Sequence, residues 1–103
     1  MNPQYEALFT PWKIGNVEIK NRIVMCPMGG TSLFGWFELG GCHFDKEAAK
    51  LFLERANNNV GLIIPGIAPL RDTFWGKWLW QNPKMFEELK EFMDEIHKTG
   101  AKL

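Results

Sequence analysis

The chain has 103 residues, 46% apolar and 23% charged, with twelve basic and twelve acidic side chains and a net charge of zero. This is ordinary composition for one globular domain, and it offers no electrostatic footprint for nucleic acid or an anionic membrane. Two cysteines, Cys26 and Cys42, make no disulfide framework, and the chain shows neither a basic, then apolar, leader nor an apolar run of the roughly 20 residues that a spanning helix needs. A cytoplasmic protein with no nucleic-acid and no membrane partner is expected.

In chain order, residues 1–9 are mixed, and Tyr5, Leu8 and Phe9 are expected to tuck under a neighbouring element. Residues 12–20 alternate around Gly15-Asn16, the signature of a β-hairpin. An apolar run, Ile23-Val24-Met25-Cys26, predicts a strand over about 22–26, ended by Pro27, which has no N–H for a ladder bond. Residues 29–44 read as a long loop between two glycine pairs, and connections of that length tend to be functional. Asp45 is a good N-cap, Glu47 suits the first turn, and apolar spacing carries a helix to about residue 56. The Asn57-Asn58-Asn59 run suits its end, since asparagine tolerates the left-handed conformation.

A second apolar run predicts a strand over 60–64, followed by a loop over 65–81. That loop holds Trp75, Trp78 and Trp80, three of the five tryptophans. Such a cluster reads first as packing against something large and flat, or against another part of the protein. Asn82 and Pro83 open a second helix, with Met85, Phe86, Leu89, Phe92, Met93 and Ile96 on one apolar face. Gly100 stops it as the C′ residue. Ala101-Lys102-Leu103 reads as the first residues of a third strand.

The order hairpin, β, α, β, α and the start of β is that of parallel βαβ units. These build doubly wound sheets or (β/α)8 barrels. Apolar runs of this kind suggest strands covered on both faces, with ligands at the carboxyl ends. Two and a half strands leave sheet edges unpaired, and a whole barrel takes ~250 residues. The chain is therefore expected to be the amino-terminal part of something larger, poorly ordered alone or completed by a partner.

No dinucleotide fingerprint and no phosphate-binding P-loop is present. Cys42-His43 lacks a second pair at ligand spacing, which argues against zinc. Cys26 reads as a buried small apolar residue rather than a nucleophile. His97 suits the negative end of its helix, and the acidic residues from Glu87 to Glu95 suit a solvated face. His43 has no visible base or orienting partner and is read as structural. The two strand ends, each closing in proline and glycine, fit either a backbone cradle for a planar cofactor or plain strand termination. Spacing alone does not separate the two.

The residues themselves carry a resemblance. Leu8-Phe9-Thr10-Pro11-Trp12-Lys13-Ile14-Gly15, followed by Lys20-Asn21-Arg22-Ile23-Val24-Met25-Cys26-Pro27-Met28, resembles the opening of the old yellow enzyme family of NADH:flavin oxidoreductases. Glu54-Arg55-Ala56, Val60-Gly61-Leu62-Ile63-Ile64 and the closing His97-Lys98-Thr99-Gly100-Ala101-Lys102 are similar to its next elements. The resemblance implies an α/β fold: the amino-terminal part of a (β/α)8 barrel, about two βα units, with a leading β-hairpin and FMN at the carboxyl ends of the strands. It maps Pro27, Met28 and Gly29 to the isoalloxazine ring, largely through backbone atoms, and the second strand end to Gly66, or to Ile67 one residue on. The Gly66-Ile67-Ala68-Pro69 stretch is similar to the dienoyl-CoA reductase branch.

The implied activity is that of an ene-reductase. Hydride passes from NAD(P)H through flavin to the activated C=C bond of an enoate or enoyl thioester. The resemblance places the family's catalytic and substrate-binding residues beyond Leu103 and names none within residues 1–103, so this stretch alone is expected to be inactive. Iron–sulfur and FAD sites of larger relatives also map elsewhere. Many members carry threonine or cysteine where Gly29 stands, so the resemblance supplies no side-chain donor to the flavin there. The expected partners are a small-molecule substrate and the remainder of the barrel or a second copy. The alternative, from another class, is a non-catalytic fragment or association module.

Overall fold

A computed structural model describes residues 2–27, 44–65 and 83–103. It opens on a 3-10 helix, Pro3–Phe9, rather than on tucked irregular chain. The cause is local: the Asn2 side chain accepts from the Gln4 N–H, and Pro3 fixes φ at the first helical position. Tyr5, Leu8 and Phe9 are not tucked away. Tyr5 is 50% exposed, and none of the helix is buried.

The hairpin is as expected. Strands β1, Trp12–Ile14, and β2, Val17–Ile19, pair antiparallel with Trp12 opposite Ile19 and Ile14 opposite Val17. Gly15 holds φ at 58°, in the left-handed region that this turn requires.

The two apolar runs are parallel neighbours. Strand β3, Val24–Met25, pairs with β4, Leu62–Ile63. Both are shorter than their apolar runs. Main-chain bonds extend the ladder at each end: Gly61 N to Ile23 O at 3.0 Å and Ile64 N to Met25 O at 3.0 Å. The third strand also begins where expected. Lys102 bridges Leu62 in parallel, with Ile63 N donating to Lys102 O and Lys102 N to Gly61 O.

Helix α1, Lys46–Asn57, is capped by Asp45, whose carboxylate accepts from the Glu47 and Ala48 N–H groups. It ends at Asn58, and Asn59 turns left-handed at φ 72°. Helix α2, Pro83–Lys98, begins at the proline and is followed by Gly100 at φ 86°. Asn82, its expected cap, lies outside the described residues.

The core lies where both helices meet the strands. Ala49, Phe52 and Ala56 of α1, Phe92 and Ile96 of α2, and Ile63 and Ala101 of the sheet form one buried cluster. Phe44 stacks at its edge, with its ring centroid 5.5 Å from that of Phe92. Two expectations are corrected. Phe86 is 50% exposed, since it lies about 100° around the helix from Met85, which is buried. The strands, moreover, are covered on one face among the described residues. Ile63 is buried against the helices, whereas its neighbours Leu62 and Ile64 are half-buried and exposed. Alternate residues point to opposite faces, and the described helices lie on one of them.

Candidate cofactor site at the strand ends

Parallel pairing brings the two carboxyl ends to the same edge of the sheet. Two residues beyond the Met25–Ile63 pair stand Pro27 and Pro65. Cys26 and Pro27 are exposed, and Ile64 is 42% exposed. Cys26 is thus not the buried apolar residue expected: β3 stops at Met25, and Cys26 lies past the last paired position. No residue from Val24 to Pro27 or from Leu62 to Pro65 carries a charge.

Of the residues read as cofactor contacts, Pro27 is described and sits at this edge. Met28, Gly29, Gly66 and Ile67 lie outside the described residues, as do Cys42, His43 and every tryptophan except Trp12. An open, uncharged pair of strand ends leaves room for the edge of a flat conjugated ring, and the described residues past the last paired position include two prolines, which have no N–H.

Other candidates place themselves elsewhere. A cavity of about 360 Å³ opens between α1 and α2, over Phe44, Leu53 and Phe92 and beside Lys50 and Glu91. No strand-end residue lines it, so it is separate from the edge where βα folds hold ligands. Among the described residues, no group of histidine, cysteine and acidic side chains is placed to hold a metal ion. No described helix is long and apolar enough to cross a membrane. His97 is exposed in the last turn of α2, as a basic residue there should be.

At the opposite, amino-terminal end of the strands lies a buried polar residue that the sequence reading passed over. Asn21 is 4% exposed. Its Oδ1 accepts from Ile23 N at 3.0 Å, and its Nδ2 donates to Asn59 O at 2.7 Å. Its carbonyl accepts from the Trp12 indole at 2.6 Å. The neighbours complete the knot: Lys20 Nζ donates to Thr99 O at 2.8 Å, and Arg22 Nε to Thr10 Oγ1 at 3.1 Å. The available signal was three consecutive polar residues immediately before an apolar run.

The family model described as "NADH:flavin oxidoreductase / NADH oxidase family" matches residues 7–103. The chain belongs to that family. A cinnamate reductase of Clostridium sporogenes is 34% identical over 110 aligned positions, covering 100% of this chain and 16% of the relative. Among solved structures, an old yellow enzyme from a Pichia species superposes with a TM-score of 0.61 at 27% identity, over 92% of this chain and 24% of the other. The chain therefore spans about a sixth and about a quarter of the lengths of these two family members. Its fold is that of the amino-terminal part of a (β/α)8 barrel with a leading hairpin, as the family resemblance implied; the order of elements alone had left a doubly wound sheet open as well.

Proposed function

We propose that residues 1–103 form the first two βα units of an FMN-binding barrel that serves an ene-reductase. The carrying observation is the family match across residues 7–103, which includes both strands whose ends meet at one edge. The strand ends would hold FMN, which would supply the chemistry of relaying hydride from NAD(P)H to the β-carbon of an activated alkene, with a proton from an acid or water completing the reduction at the α-carbon. The protein's own part here is to bind and orient. Pro27, Met28 and Gly29 on one strand end, and Gly66 or Ile67 on the other, meet the ring with main-chain atoms. The uncharged residues around them keep water from its edge.

The proposed substrate class is an enoate or enoyl thioester. The name of the Clostridium relative supports the first, since cinnamate is an α,β-unsaturated carboxylate. A small-molecule substrate and the rest of a barrel are the partners this reading needs. Titration of the full protein with FMN tests it. The visible flavin bands should shift, and flavin fluorescence should change with a one-to-one endpoint. Protein that remains colourless after reconstitution favours a non-catalytic association module instead.

A further inference from the structure

We propose that Asn21 and Gly61 form a register lock that admits one pairing of β3 with β4, which makes Asn21 a positioning residue for the strand ends. The value of those ends to a cofactor rests on the function proposed above; the lock itself does not.

Gly61 is buried, and a Cβ built on it would collide with the Asn21 side-chain oxygen and lie 3.1 Å from both Cγ and the main-chain oxygen of Asn21. The carboxamide therefore occupies the space that a side chain at position 61 would need. It is also held there from two sides, by Ile23 N and by the carbonyl of left-handed Asn59. Next to it, Ile23 O accepts from Gly61 N at 3.0 Å and Leu62 N at 3.3 Å. The site of the lock is thus the first rung of the ladder.

A slip of one residue in either direction would bring Val60 or Leu62 against Asn21. Both carry side chains where only glycine fits. Such a slip would move one strand end past the other by ~3.3 Å and turn every side chain to the opposite face. Ile63 would leave the core, and the residues beyond Met25 and Ile63 would no longer stand level. In a sheet whose two paired strands are only two residues long, ladder bonds alone are few. The polar knot supplies the discrimination by excluding the alternatives.

The test uses the full protein and the variants Gly61→Ala, Asn21→Ala, their double, Asn21→Asp, and Phe52→Leu as a core control that leaves Asn21 and Gly61 untouched. Gly61→Ala alone should lower the folding equilibrium constant by at least about tenfold, as overpacking does. Added to Asn21→Ala, it should lower the constant by less than about threefold, because the clashing carboxamide is gone.

Asn21→Asp keeps the acceptor for Ile23 N but sets a carboxylate against the Asn59 carbonyl. Its folded-state pKa should therefore lie above its unfolded value. The stabilising bond is present at low pH, where the acid donates to Asn59 O, and is lost as pH rises through the folded pKa. Asn21→Asp should thus be stable and FMN-competent near pH ~5 and weakened in both near pH ~8. Phe52→Leu should lower stability without changing the FMN affinity of the folded protein.

Additive effects of Gly61→Ala and Asn21→Ala, or an Asn21→Asp protein indifferent to pH, overturn the lock. So does an Asn21→Asp protein whose FMN affinity at high pH matches that of Phe52→Leu. Wild-type protein that binds no FMN, but shows the non-additive cycle, sinks the flavin reading and upholds the lock.

Discussion

Single residues here act mainly by setting backbone conformation or by closing the hydrogen-bond account at element ends. Asp45 satisfies two otherwise unpartnered N–H groups at the start of α1. Asp45→Ala should cost about 1 kcal/mol in chemical denaturation, a typical loss for an N-cap. Gly100 combines a φ of 86° with a close neighbour: a Cβ there would stand 3.2 Å from Lys20 Cδ. The lysine stem is flexible, so the conformation sets the cost. Gly100→Ala should destabilise by about 1–2 kcal/mol, the penalty for a left-handed L-residue. Cys26 shows what the sequence did not make legible. An apolar run predicts burial of a small thiol, but the run is longer than the paired strand, and the last residues project past it. Native protein should therefore react with a thiol reagent at Cys26, and Cys26→Ser should change stability by less than about 0.5 kcal/mol, as exposed substitutions do.

At the scale of elements, local signals carried most of the fold. The Asp45 cap, the Gly15-Asn16 turn, Pro83 and Gly100 each act within a few residues of themselves, so their consequences can be read from neighbours in the chain. The helix faces were legible for the same reason, with Phe86 as the exception at the margin of its stripe. Less legible were properties set by residues distant in sequence. The burial of Asn21 depends on its bond to Asn59, which is 38 positions away. Burial on the second face of the sheet depends on what packs there. Of the candidate site, the meeting of two strand ends was legible from their equivalent apolar runs, and Pro27 lies just past one of them.

The same contrast predicts how the elements respond to change. Phe52 is fully buried at the centre of the helix–sheet cluster. Phe52→Ala should cost about 3–5 kcal/mol in urea unfolding, a transfer term plus a cavity. The Lys50–Glu47 ion pair spans 2.9 Å but is largely exposed on both sides. Lys50→Ala should change stability by less than about 0.5 kcal/mol, and high salt should remove even that.

For the molecule as a whole, the arrangement separates two jobs along the strands. The amino ends of β3 and β4 hold the polar knot that ties the hairpin, both helix ends and the sheet together. The carboxyl ends are open, uncharged and level with one another. That polarity matches (β/α)8 barrels in general, which build their active sites at the carboxyl ends of the strands and their stability at the other face. The described segments contain one buried core cluster and a defined strand register.

A crystal structure of the full protein with FMN tests the central claim most directly. The account predicts the isoalloxazine ring lying across the carboxyl ends of β3 and β4, its edge against main-chain atoms of residues 27–29 and 66–67. Flavin density at the cavity between α1 and α2, or at the amino ends beside Asn21, would contradict it.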